Sequence, residues 1–262
     1  MKKVLLSLFV AFAIVVPTQA ATYNAAARVP VVGQNLLTKN GITTANVKFK
    51  VVSDYVDNSD YVENKTVNVS SAELSFAGND NEVAAVVANE LGHIISGHAS
   101  KGKVVQLFTG GTTTDSSSNL LSNYQYTKEE KEADIIATNL MVNAGYNPLA
   151  IIVVLTKQSN TYWEALQGKP ANAERAMSVY NYVSYAYPAK LKAGYGCNEY
   201  RTFVAYATPI VEARNADEKQ VSKYEKEQAK AVKKSDSQLT KFKTRGGLSW
   251  WDALFGLLSA EE

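Results

Sequence analysis

The residues best suited to catalysis lie close together in the first half of the chain. Asn89, Glu90 and His93 belong to the run Asn-Glu-Leu-Gly-His, and positions 89 and 93 share one helix face because they are four residues apart. Zinc peptidases use this spacing in the pattern His-Glu-x-x-His, where two imidazoles bind Zn²⁺ and the glutamate activates water. Glu90 stands at the position of that base, and Asn89 replaces the first histidine. Taken alone, these five residues are better explained as a few polar side chains on a buried helix than as a metal site.

A second polar pair lies farther along the chain. Glu130 and Asp134 are four residues apart and therefore share one face of a second helix. A carboxylate from a facing helix is the usual third ligand of such a zinc site, and the fourth position stays open for water. Taken alone, a Lys- and Glu-rich helix start is typical of a solvated surface. Beside the first segment, the pair is a candidate for the other side of a metal site.

His93 and His98 are the only two histidines of the chain. His98 lies about 140° round an ideal helix from His93, so it reaches the same metal only if the chain turns back at Gly97. It is therefore interpreted either as a capping or packing residue or as a replacement ligand.

Together these segments resemble the M48 metallopeptidases, the family of Ste24, Oma1 and HtpX. The family pattern E-x-A-A-V-x-A-H-E-x-G-H, with a later histidine, resembles residues 82–93 and His98. Its E-x-E-A-D and A-G-Y-x-P segments resemble residues 130–134 and 144–148, and a later His-Pro with a following arginine resembles residues 169–175. The segments occur in the family's order and span roughly residues 45–180.

The resemblance implies a role for each matching residue. Glu90 would be the general base, His93 and Glu130 ligands of one zinc ion, and Asp134 a partner that orients a ligand or its helix. Arg175 would hold the substrate or the oxyanion. The strand at residues 65–70 would pair with an extended peptide substrate.

Two residues depart from the family pattern. Asn89 stands where the first zinc histidine is expected, and an amide oxygen is a neutral, poor donor to zinc. Lys169 stands where a histidine lies near the scissile carbonyl, although a lysine still places positive charge there. The first hypothesis is therefore a cell-envelope zinc endopeptidase with a weakened or atypical metal site. The second is an inactive pseudoprotease that binds misfolded or partner proteins through the retained groove.

Several elements must position these residues. Residues 46–52 and 65–70 alternate apolar and polar side chains, as half-buried strands do. A helix is predicted from residue 82, with N-cap candidates at 79–81 and Gly97 as its end. A second is predicted from about Thr127 to Ala144. The fold class predicted is α+β, mainly helical, with a small antiparallel sheet and extra C-terminal helices.

The N-terminus has the order of a secretory signal peptide. Lys2 and Lys3 precede an apolar run, Val4 to Val16, and small residues precede Ala21. We expect cleavage after residue 20 and a periplasmic or extracellular protein. The formal net charge of the 262 residues is +2 and falls to near zero without the two lysines, so no nucleic-acid partner is expected. The lone cysteine, Cys197, excludes an intrachain disulfide.

Four segments are predicted in all: the signal peptide 1–20, a peptidase-like domain 21–196, a charged helical extension or linker 197–245, and an apolar C-terminal helix 246–262. The apolar residues from Ser249 to Leu258 follow a basic stretch. They would dock on the domain or a second copy, or contact a membrane surface peripherally. The expected partner is a protein or peptide substrate.

Overall fold

The computed structural model describes residues 23–44, 46–53, 64–98, 118–158 and 170–245. The predicted signal peptide, Lys169 and the apolar segment from Ser249 to Leu258 lie outside the described residues.

Nine helices and two strands are described within those ranges. In chain order they are α1 (Ala25–Lys39), β1 (Lys48–Val52), β2 (Thr66–Ser70), α2 (Ser71–Leu74), α3 (Asp80–Ser96), α4 (Ser118–Asn143), α5 (Ala150–Gln158), α6 (Pro170–Ala186), α7 (Pro188–Ala193), α8 (Asn198–Asn215) and α9 (Glu218–Arg245). Helix α3 lies at the centre and contacts α1, α4 and α5. None of the described helices is long and apolar enough to cross a bilayer.

The two strands are parallel. Lys48 lies opposite Thr66, and Val52 lies opposite Ser70. The prediction of an antiparallel sheet is therefore wrong, although both strands were correctly placed. Antiparallel neighbours can be joined by a tight hairpin, whereas parallel strands need a crossover of about a dozen residues or more. Residues 53–65 are long enough to bring the chain back to the same end of the sheet.

Helix α3 begins and ends where its capping residues predict. The Asn79 side chain accepts hydrogen bonds from the backbone N–H groups of Asn81 and Glu82. At the other end Gly97 adopts the left-handed conformation, with φ of 78°, which glycine tolerates without strain. The apolar side chains of α3 are buried on nearly all sides, which makes this the innermost helix of the core.

Helices α3 and α4 approach each other very closely at one glycine. A Cβ atom added to Gly92 would lie 2.4 Å from the backbone carbonyl oxygen of Ala133. No side chain larger than hydrogen fits there, so the backbones of the two helices come almost into contact. This approach brings residues 89–93 next to residues 130–134.

The C-terminal region forms two long helices that pack on the core. Helix α8 buries Tyr200 and Phe203, and α9 buries Leu239 and Phe242. A further polar contact joins α9 to α4, because Asn139 donates to the hydroxyl of Ser235 at 3.0 Å. Most of the segment predicted as a charged helical extension or linker, 197–245, therefore lies in these two helices.

Candidate metal and catalytic site

The centre of the site is a contact between α3 and α4. His93 Nε2 lies 3.2 Å from Glu130 Oε1. Burial opposes ionisation of Glu130, but the hydrogen bond from His93 and the charge of Arg175 outweigh it, and the pKa of Glu130 is lowered to about 2. The carboxylate is therefore ionised at neutral pH. An imidazole nitrogen and an anionic oxygen face each other at the two positions predicted to bind zinc.

Arg175, on α6, joins the two carboxylates of α4. Its Nε donates to Asp134 Oδ2 at 2.8 Å and its Nη2 to Asp134 Oδ1 at 2.9 Å. Its Nη1 lies 2.9 Å from Glu130 Oε2. The two-pronged contact fixes Asp134, which is fully buried. In this arrangement the guanidinium orients protein carboxylates, and its predicted contact with substrate or oxyanion stays a prediction.

Asn89 contacts the same buried carboxylate. Its Nδ2 donates to Asp134 Oδ1 at 2.8 Å. A zinc-binding histidine commonly uses one ring nitrogen for the metal and the other to donate to a carboxylate. Asn89 therefore makes the outer contact expected of a histidine at this position. It does so without an imidazole for the metal.

The remaining predicted residues have different outcomes. Glu90 follows Asn89 on α3 and is only 7% exposed. Its role as general base stays a prediction. Lys169 lies outside the described residues, so its predicted role is likewise open.

His98 lies against the ring of His93. The two Nδ1 atoms are 3.1 Å apart, and the ring planes are inclined at 65°. The left-handed turn at Gly97 brings His98 back toward α3, which fixed helical spacing does not allow. The sequence raised this return of the chain only as one of two alternatives.

Glu73 is a site residue that the sequence did not single out. It lies on α2 directly after β2, and it lines a small pocket with Asn89, Asp134 and Arg175. Burial raises the pKa of its carboxyl group, although the nearby Arg175 opposes the shift. The only local signal is a capping motif, because the Ser70 hydroxyl accepts from the Glu73 N–H. That motif predicts a helix start and says nothing about the site.

The side chains at this site include some, but not all, of the ligands that a catalytic zinc ion needs. His93 and Glu130 have the right chemistry and converge from facing helices. Within the described ranges, no group of three or more His, Cys, Asp or Glu side chains is placed to hold a metal ion. The side chain at the remaining expected position is the neutral amide of Asn89. The site therefore offers two strong protein ligands where a catalytic zinc site has three.

The arrangement of His93, Glu130 and Asp134 on two facing helices lies within a family match over residues 24–183 to peptidase family M48. The chain belongs to peptidase family M48. The match begins before the region in which the resemblance was recognised and includes α1, whose side chains pack on α3. Helices α8 and α9 lie beyond it.

The chain is also similar to the Metalloprotease LoiP of Escherichia coli (strain K12). The two chains are 28% identical over 162 residues, which cover 53% of this chain and 64% of LoiP. The chain thus spans slightly less than two thirds of the length of that relative. No solved structure gives a significant match.

Proposed function

We propose that the protein is a cell-envelope M48 metalloendopeptidase that cleaves proteins or peptides and has a weakened zinc site. The observation that carries the proposal is the 3.2 Å approach of His93 Nε2 to Glu130 Oε1 beside Glu90. This approach supports His93 and Glu130 as two zinc ligands, and Glu90, three residues before His93 on α3, is the proposed base. Membership of the family and the likeness to a metalloprotease support the same reaction class.

Each residue would have a separate part in the reaction. His93 and Glu130 would hold the zinc, which when bound acts as a Lewis acid and makes water a better nucleophile near neutral pH. Glu90 would accept the proton of the attacking water and pass it to the leaving amine. Arg175 keeps Glu130 ionised and oriented, and Asp134 holds the side chain at position 89.

The proposed weakness of the site follows from Asn89. Loss of a residue that only orients a metal ligand typically lowers metal affinity about 10- to 100-fold. Loss of a direct ligand should cost at least as much. We therefore expect zinc to bind more weakly than at a site with three protein ligands, and activity to depend on added zinc.

The envelope location is proposed from residues 1–20 alone. Their charged start, apolar run and small residues before Ala21 have the order of a cleaved signal. Intact-mass measurement of the exported protein tests this point. A mass that retains Met1 to Ala20 would contradict cleavage.

The test of the main proposal is zinc titration followed by a casein-cleavage assay with added zinc. His93→Ala and Glu130→Ala should each remove zinc binding, whereas Glu90→Gln should retain zinc and lose cleavage. Cleavage by the Glu90→Gln protein at the wild-type rate would refute the assignment of the base. Tight zinc retention after Glu130→Ala would show that another carboxylate is the ligand.

A second function is favoured by a specific observation. Asn89, Asp134, Arg175, Glu130 and His93 form a continuous network in which both carboxylates already have protein donors. Such a network is electrostatically satisfied by protein groups alone, which suits a pseudoprotease that binds polypeptides without cutting them. Binding of unfolded casein by the wild-type protein, with no cleavage at saturating zinc, would favour this alternative.

A further inference from the structure

A chain of side-chain contacts leads from His93 to the C-terminal helix α9. His93 Nδ1 lies 3.1 Å from His98 Nδ1, and His98 Nε2 lies 4.0 Å from Glu132 Oε2. Glu132 in turn accepts a hydrogen bond from Lys234 Nζ at 2.6 Å and another from Gln238 Nε2. The His98 side chain is only 6% exposed and that of Glu132 only 16%. The contact between His98 and Glu132 is therefore shielded from solvent, whereas the side chain of Lys234 is half exposed.

His98 faces the side of the His93 ring opposite to Glu130. Glu130 contacts Nε2 of His93, whereas His98 contacts Nδ1. The two nitrogens of an imidazole point in widely diverging directions, so a metal held between Nε2 and Glu130 lies beyond the reach of His98 Nδ1. This placement excludes His98 as a third ligand at that point. It instead puts His98 where an orienting partner of a ligating imidazole belongs.

The nitrogen that carries the proton in one ring determines which nitrogen carries it in the other. When both imidazoles are neutral, the ionised Glu130 can only accept, so a His93 that donates to it carries its proton on Nε2 and accepts at Nδ1 from His98. Zinc binding at Nε2 requires the lone pair of that atom, and the proton must then lie on Nδ1 of His93. His98 Nδ1 must then accept, and the His98 proton lies on Nε2, which faces Glu132.

Glu132 is suited to stabilise this second arrangement. Its carboxylate accepts hydrogen bonds from Lys234 and Gln238, and the ammonium group of Lys234 favours its charged form. A fixed negative charge near His98 Nε2 favours the tautomer with a proton there. Lys234 and Gln238 both lie on α9, which is outside the region matched to the M48 family.

We propose that His98 is a positioning residue for His93, and that α9 fixes its orientation through Glu132. The proposal deepens the proposed function, because His93 is a metal ligand only if zinc binds. It assigns the charged C-terminal helix a specific task, namely to stabilise the second pair of tautomers, which zinc binding at His93 Nε2 requires.

The first test uses nitrogen-15 NMR of the metal-free full chain, labelled at histidine. The chain has only two histidines, so each signal can be assigned with one variant. At about pH 8, above the usual imidazole pKa, we expect an Nε2–H tautomer for His93, an Nδ1–H tautomer for His98, and a scalar coupling between the two Nδ1 atoms. Two Nε2–H tautomers without that coupling would overturn the proposal.

The second test adds zinc alone. Zinc should shift the signal of His93 Nε2 and move the proton of His98 from Nδ1 to Nε2, without a metal-type shift at His98. A metal-type shift at either Nδ1 atom would show that zinc binds between the rings, and would overturn the proposal.

Matched variants separate positioning from a general loss of structure. His98→Leu should weaken zinc binding about 10-fold, whereas His98→Asn, which keeps an acceptor near the position of Nδ1, should stay within about 3-fold. Lys234→Met should weaken it about 3-fold, because Gln238 still holds Glu132. Lys131→Met is the control, since it removes another ion pair of α4, that with Glu174, and should leave zinc affinity unchanged.

The failures of the two proposals are distinguishable. If the wild-type protein binds no zinc, the proposed peptidase is refuted, and the metal-free coupling still decides whether His98 contacts His93. If zinc binds and His98→Leu binds it as tightly as the wild type, the positioning role is refuted and the peptidase proposal stands.

Discussion

Replacing Asn89 with histidine should supply the donor that the zinc site lacks. Positions 89 and 93 share a face of α3, and Asn89 already donates to the buried Asp134 at 2.8 Å. A histidine here can donate to Asp134 from one ring nitrogen and leave the other for zinc. The substitution therefore keeps the existing outer contact and adds a ligand. We expect a small change in stability.

The expected gain in zinc affinity is at least about 100-fold, because removal of a merely orienting residue already costs about 10- to 100-fold. A 100-fold change corresponds to about 2.7 kcal/mol, which is easily resolved by competition with a chelator. Asn89→Ala is the matched control, since it removes the contact with Asp134 and adds no ligand. It should not tighten zinc binding, and it should destabilise the fold by about 1 kcal/mol because Arg175 still holds Asp134.

The assay is zinc titration of the wild-type, Asn89→His and Asn89→Ala proteins, followed by casein cleavage at saturating zinc. Equal and tight zinc binding in the wild-type and Asn89→His proteins would refute the missing-ligand reasoning, and would imply that Asn89 itself or another donor completes the site. Tighter binding without cleavage would favour the pseudoprotease, with Lys169 as a further candidate for the loss of activity.

Three further predictions concern stability. Gly92→Ala should destabilise the protein by about 3 kcal/mol in chemical denaturation, because the new Cβ would lie 2.4 Å from the Ala133 carbonyl oxygen. Gly78→Ala is the control, because its Cβ would have no neighbour closer than 3.5 Å. Equal losses of stability in the two variants would contradict the close approach of α3 and α4. Lys157→Met should cost about 2 kcal/mol, because the buried Glu82 carboxylate then keeps neutral donors, Gly78, Asn79 and Tyr195, but loses its cation. Lys131→Met, at an exposed pair, should cost less than about 1 kcal/mol. A similar loss in both variants would contradict this reasoning. Burial raises the pKa of Tyr187 from 10.0 to about 12, so the neutral phenol stabilises the fold below pH 10.0, and this contribution is lost as the pH rises toward about 12. Between about pH 9 and about pH 11, the denaturation midpoint of Tyr187→Phe should therefore fall less than that of the wild type. The same pH dependence in both proteins would contradict this reasoning.

Local signals predicted the elements that carry the site. Asn79 and Gly97 bound α3 as expected, because capping depends on a few neighbouring residues. The relative direction of the strands was predicted wrongly, since alternation of side chains is the same in parallel and antiparallel pairs. Direction depends on how a connection returns the chain to the sheet, and nothing in the pattern of either strand encodes that return.

Within the candidate site, sequence predicted the neighbours that follow from residue spacing along a single helix. The i, i+4 pairs 89/93 and 130/134 do share faces, and the facing of α3 and α4 brings His93 to Glu130. The contacts of Glu73 and His98 were not predicted, because they depend on how α2 and the turn at Gly97 approach from outside the helix. Such contacts between distant segments leave no periodic signal in the sequence.

The geometry separates the architecture of the site from its ability to bind metal. Gly92 sets the distance between α3 and α4, and Arg175 holds Asp134 and Glu130 in place from α6. None of these contacts involves the zinc donor that Asn89 replaces. Asn89 even preserves the hydrogen bond to Asp134, so the substitution leaves no buried polar group without a partner at this point. The proposed dependence of zinc affinity on residue 89 can therefore be tested without removing the contacts that hold α3, α4 and α6 together.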